Sequence, residues 1–261
     1  MRVLLLSLQI FVFLCLGLQA SAETTERTFA KVINFSLFDM QYEEADNSTP
    51  EEIDQLNQEA IDELYDYRVT RKVHTFKGTR ANSVTLDFAE ELIRSIDEHP
   101  VVSSFAYSKY DPEDRGIGFC FGRAAYAHIA LMEMGVNKDA VKKAWAVGHM
   151  KNGGNNWGWH VTTLVLAKNG QWVAIDNVPG GQVLEVSEWI KYFKRWSTDQ
   201  KLRLYISNPK KFTPSPGTYE RNSLGLDTDK DNDWYNGYFK DLMKWFRKNN
   251  VQTAFDLPEP E

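Results

Sequence analysis

The chain has 261 residues, with 30 Lys and Arg against 36 Asp and Glu and a formal net charge of −6. This acidic balance gives no electrostatic support for nucleic-acid binding. With 43% hydrophobic and 13% aromatic residues, the composition is that of a packed domain rather than a disordered chain.

Residues 1–22 have the pattern of a secretory signal peptide. Arg2 gives a positive start, Val3 to Leu18 is an apolar run, and Ala20-Ser21-Ala22 supplies the small residues of a cleavage site. The run is shorter than the ~20 residues needed to span a bilayer. The expectation is a secreted or periplasmic protein cut after Ala22, with no membrane attachment afterwards. Cys15 leaves with the signal, so Cys120 is the lone cysteine of the mature chain. In an oxidising compartment such a cysteine makes no internal bridge; it is either buried and inert or a reactive thiol.

Residues 23–107 read as an N-terminal helical extension or pro-like region, ahead of a main domain over 108–261. Thr28 to Phe38 alternates weakly, as one strand would. Asn47-Ser48-Thr49-Pro50 before Glu51-Glu52 predicts a helix start, and Ile53, Leu56, Ile61 and Leu64 give that helix an apolar stripe through about Tyr67. A second helix is expected from Leu86 to Asp97, with Phe88, Leu92 and Ile96 on one face and His99-Pro100 closing it. Tyr107 to Gly118 reads as a loop. Phe119 to Met134 reads as a helix, whose alanines at 124, 125, 127 and 130 permit close packing and which Gly135 ends. Strands follow at Ala144–Val147, His160–Ala167 and Trp172–Asp176, the last two flanking Lys168-Asn169-Gly170. Then come a helix at Ser187–Trp196, a strand at Leu202–Ile206, a loop over Asn208–Leu226 and a final amphipathic helix at Trp234–Lys248. A helix followed by antiparallel strands is an α+β order.

Cys120 follows Gly116-Ile117-Gly118-Phe119 and opens a helix. The positive end of a helix dipole favours a thiolate, and its free N–H groups can hold an oxyanion. The glycine loop, Gly118 with Phe119 in particular, would let a substrate approach. A thiol nucleophile needs a base. His74 and His99 read as surface residues, and His128 lies more than two turns beyond Cys120. His149 is a second candidate. His160 starts a strand after Trp157-Gly158-Trp159, and the two indoles would form the walls of a narrow acyl-acceptor slot. The third member should orient the imidazole. Asp176, at the end of the apolar Trp172-Val173-Ala174-Ile175, is costly to bury unless paired, with Asn177 as the alternative orienter.

Cysteine at a helix start, then histidine and aspartate on adjacent strands, resembles the transglutaminase-like (papain-like) superfamily, and within it the protein-glutaminases. The residues that carry the resemblance are Cys120-Phe121-Gly122-Arg123-Ala124, Trp157-Gly158-Trp159-His160-Val161 and Ile175-Asp176. Asn177 follows where the family usually has proline, and a single mature cysteine departs from its disulfide-bearing secreted members. The resemblance implies an α+β core with the nucleophile at a helix N-terminus packed on an antiparallel sheet. It implies a cysteine-dependent amidohydrolase that acts on exposed glutamine in proteins, with Cys120, His160 and Asp176 catalytic and no metal or organic cofactor. Transfer to an amine, proteolysis and a non-catalytic binding module are the other outcomes this fold allows. The stretch from Asp227 to Asp233 lacks glycine at the sixth position of a calcium loop and is better read as a solvated acidic run.

Strand parity adds a geometric requirement. A two-residue Asn169-Gly170 loop pairs residues whose numbers sum to 168 + 171 = 339, placing Asp176 and His160 on opposite faces. A three-residue loop pairs Ala167 with Gln171, a sum of 338. Asp176 then faces Thr162, with His160 its diagonal neighbour on the same face.

Overall fold

The computed structural model describes residues 47–67, 74–75, 78–112, 119–211, 224–227 and 235–249. The segment expected to be a signal peptide, the strand expected at 28–38 and Gly118 lie outside these residues, as does most of the acidic run. Helix α1 (Pro50–Asp66) opens on a reciprocal capping box: the Thr49 hydroxyl accepts from the Glu52 N–H, and the Glu52 carboxylate accepts from the Thr49 N–H at 2.7 Å. Two short strands, β1 (His74–Thr75) and β2 (Gly78–Thr79), pair with each other. Helix α2 (Leu86–Glu98) is capped by Thr85. A 3-10 turn at Ser104–Ala106 leads into the short α3 (Tyr107–Tyr110), and α4 spans Cys120–Glu133.

The sheet is built from β3 (Val141–Asn152), β4 (Asn155–Leu166), β5 (Trp172–Ile175), β6 (Leu184–Glu185) and β7 (Arg203–Ser207), in the order β6-β5-β4-β3-β7 with every neighbouring pair antiparallel. Helix α5 (Val186–Lys194) follows β6, and α6 (Tyr238–Lys248) comes last. This is the α+β class that the sequence implies, with the Cys120 helix packed on an antiparallel sheet that carries His160.

Alternation along the strands splits the sheet into two buried faces. Trp145, Val161, Val165, Val173 and Ile175 share one core with α4, α2 and α6. Ala144, Ala146, Leu164, Trp172 and Ala174 share the other with α1 and α5. Every α4 residue from Cys120 to Met132 is buried, so this is a core helix with no solvated stripe.

The 107/108 boundary does not separate two hydrophobic cores. Ile93 and Ile96 of α2 lie in the α4 core, Ile61 and Leu64 of α1 lie in the α5 core, and Val84 bridges alongside Ala167. Helix α1 also closes the outer edge of the sheet. The Asn57 side chain donates to Leu202 O at 2.8 Å and accepts from Leu204 N at 2.7 Å.

Two strands are longer than expected. β3 starts at Val141 rather than Ala144, because Lys143 is fully buried and donates to Lys211 O at 2.7 Å; a lysine there reads as surface in the sequence. β4 starts at Asn155 rather than His160, so Trp157-Gly158-Trp159 is strand, and Gly153-Gly154 alone makes the turn.

Candidate functional site

The N-terminus of α4 is set by Phe119, whose φ of +46° is left-handed backbone, uncommon outside glycine. Ring contacts hold it there. Phe119 is fully buried and stacks on Tyr238 at 4.6 Å, with Tyr110, Tyr107 and Phe121 around it. Its side chain is therefore core, which corrects the expectation that it contacts substrate. The turn makes Cys120 the first helical residue, at the end of α4 where backbone N–H groups lack intrahelical partners.

The β4–β5 register has the odd-length loop. Thr163 pairs with Ile175, and 163 + 175 = 338. Ala167 N–H bonds to Gln171 O, and Gly170 closes the turn at φ +86° with its N–H on Ala167 O. Asp176 thus arrives on the His160 face, with Oδ2 2.7 Å from His160 Nε2. The Trp189 indole Nε1–H donates to the same oxygen at 2.8 Å, and Val178 N–H donates to Oδ1 at 3.1 Å. The carboxylate, buried at the end of an apolar strand, thus has three donors. Cys120 lies close enough to the imidazole to act on its pKa. Because Nε2 is turned to Asp176, Nδ1 is the nitrogen left for the sulfur. The imidazole face stacks on Phe193 at 4.2 Å. The three side chains singled out in the sequence are thus brought together, His160 and Asp176 by a hydrogen bond and Cys120 by its proximity to the imidazole.

Electrostatics favour a charged imidazole. Burial pulls the His160 pKa down, but the charge and hydrogen bond of Asp176, aided by Cys120, outweigh it and raise it to about 9. Burial opposes ionisation of Asp176 as well. The His160 charge and hydrogen bond, the Arg123 guanidinium and the Trp189 indole overcome this and lower its pKa. Arg123 sits one turn after Cys120, buried, with its guanidinium 5.2 Å from the Tyr107 ring centre; burial lowers its pKa, while Asp176, Tyr238 and Asp97 act to raise it.

The other candidates fall elsewhere. Asn177 turns its amide to Asp97 of α2 at 2.7 Å, so it does not orient His160. His149 is exposed, next to a register shift in the β3–β4 ladder. His128 is buried in α4, with its pKa pushed well below the usual value by burial and by Lys143. His99 is buried rather than on the surface; its Nδ1 accepts from Val101 N–H and Val102 N–H, and its ring lies against Tyr126 and Trp245. Trp157 and Trp159 do not wall a common slot. The ladder shifts between Val147 and Met150, and beyond the shift Trp157 packs with Met150 and Trp196 in the α5 core. Trp159 packs with Trp145 and Phe121 in the α4 core. Sequence reasoning missed Trp189 and Phe193, which reach the site from α5 with no short spacing to announce them. Arg123 could have been found, since it stands in the Cys-Phe-Gly-Arg-Ala segment.

No protein-family model and no curated protein sequence matches the chain. Among solved structures it is similar to the NMR structure of protein-glutaminase from Chryseobacterium proteolyticum, at 16% identity and a TM-score of 0.41, over 69% of this chain and 96% of that one. It is also similar to the crystal structure of pro-protein-glutaminase, at 18% identity and a TM-score of 0.40, over 59% of this chain and 60% of that one. A crystal structure of a mutant pro-protein-glutaminase is similar at 15% identity and a TM-score of 0.43, over 74% of this chain and 66% of that one. The likeness is one of general fold.

Proposed function

We propose that the protein is a cysteine-dependent amidohydrolase that deamidates glutamine side chains of proteins. The observation that carries this reading is the buried His160–Asp176 hydrogen bond beside Cys120, with the thiol at a helix N-terminus and the His160 pKa raised to about 9. The Cys120 sulfur attacks the carboxamide carbon, and the α4 N–H groups face the developing oxyanion. His160 Nδ1–H gives its proton to the departing ammonia, leaving a thioester. Water, deprotonated by the same nitrogen, attacks the thioester and releases the carboxylate and the thiol. Asp176 keeps Nε2 occupied, so that Nδ1 does the proton transfer. The choice of a protein-bound glutamine rests on the three sequence segments that resemble the protein-glutaminases.

The test is incubation with a glutamine-bearing protein, reading ammonia and mass. Deamidation gives ammonia and a gain of about one dalton per site through a thioester. Cys120→Ser should abolish it, and His160→Ala should lower the rate by about a thousandfold or more. The rate should fall as pH rises through about 9, where His160 loses the proton it must deliver. Cross-linked products would mean transfer to an amine, fragments would mean proteolysis, and ammonia release by Cys120→Ser would end the reading.

A further inference from the structure

Helix α5 presents two aromatic side chains one turn apart to the His160–Asp176 pair. Trp189 donates its indole N–H to Asp176 Oδ2 at 2.8 Å, and Phe193 stacks on the His160 ring at 4.2 Å with an interplanar angle of 21°. An i, i+4 pair lies on one face of a helix, so a single helical surface meets both residues. Trp189 and Phe193 are themselves buried and packed on each other at 5.0 Å between centroids. The titratable groups facing His160 are Asp176 and Cys120, with Arg123 behind Asp176. Helix α5 adds no charge on this side: Lys191 pairs with Glu188, and Lys194 with Asp54 of α1.

We propose that Trp189 and Phe193 are positioning residues with opposite actions on His160, an inference that rests on the hydrolase reading above. The indole shares Asp176 Oδ2 with His160. It fixes the carboxylate rotamer and draws off part of the negative charge that would otherwise bear on the imidazolium. The phenyl face holds the ring plane and attracts the imidazolium through its quadrupole. One residue limits how firmly His160 keeps its proton, and the other strengthens it. A general acid that must both give and take a proton needs that balance.

The two actions separate in the full chain with Trp189→Phe and Phe193→Leu, which keep apolar bulk. Imidazole ¹⁵N NMR follows the His160 titration without relying on any substrate. Trp189→Phe should move it to higher pH and Phe193→Leu to lower pH, each by on the order of half a unit. In each variant kcat should drop on the order of tenfold with KM little changed, the signature of support removed from behind a reacting group. Merely loosened packing would lower the melting temperature and leave the two titrations unshifted or shifted the same way, and either result overturns the proposal. A wild-type protein that releases no ammonia would defeat the hydrolase reading, whereas the pair of NMR shifts decides the positioning roles separately.

Discussion

At position 122 hydrogen is the only side chain that fits. A Cβ built on Gly122 would lie 2.3 Å from the Tyr238 hydroxyl oxygen and 2.4 Å from Cε1 of its ring. Tyr238 cannot swing away, because its ring is fully buried between Phe119 and Tyr110. Gly122→Ala should therefore cost about 1–3 kcal/mol by overpacking, and a second change of Tyr238 to Leu should recover part of it. Urea unfolding of the single and double variants checks this; an unaffected single variant would show that the α4–α6 contact is softer than argued. Residues that act through neighbours in sequence or parity were legible without coordinates. Cys120 stood out as the lone cysteine after the expected signal peptide, at the start of a helix, and His160 and Asp176 as polar ends of apolar strands. Residues that act across the fold were not. Trp189 reaches Asp176 from thirteen positions away, and nothing in its local pattern separates it from an ordinary core tryptophan. Phe119 was misread for a related reason: a flexible glycine loop suggested exposure, while the left-handed turn drives its ring inward.

At the scale of elements, the site depends on the length of one turn. The Lys168-Asn169-Gly170 loop sets the register that puts Asp176 on the His160 face, and a one-residue slip would exchange the faces of β5. It would also send Val173 and Ile175 toward the α5 core and Trp172 and Ala174 toward the α4 core, where neither set matches its neighbours. Deleting Asn169 should thus lower the melting temperature and slow native alkylation of Cys120 by iodoacetamide together. Retention of both would show that the strand absorbs the deletion with a bulge. The sequence left two loop lengths open, and strict period-two alternation along a strand made the odd one the requirement of the Cys120–His160–Asp176 group. The β3–β4 hairpin was less readable for the opposite reason. Glycines, asparagines and a buried lysine hide the strand, and the ladder shift near Gly158 parts the two tryptophans that simple adjacency had put together.

For the molecule as a whole, the buried histidines act in opposite senses with pH, His99 and His128 on the acid side and His160 on the alkaline side. Burial lowers the pKa of His99 from 6.5 to about 4, so its contribution is complete above 6.5 and is lost as pH falls toward and through 4. His160 is raised from 6.5 to about 9, so its contribution is complete below 6.5 and is lost as pH rises through 9. Thermal midpoints across pH should show a shallower acid slope in His99→Gln, which shares it with His128, and a smaller loss between 6.5 and 9 in His160→Gln, where buried Lys143, lowered to about 7, acts in the opposite sense; variant profiles parallel to wild type would contradict both assignments. Last, consider how the sheet stops at β7. The carboxamide of Asn57 turns an N–H donor to Leu202 O and its oxygen to Leu204 N–H, the same pair of contacts a peptide unit would make there. A side chain has taken the seat of a sixth strand. A neighbouring molecule arriving at that margin finds those two backbone groups already engaged, so α1 serves as a guard against edge-to-edge stacking of copies as well as a cover for the core.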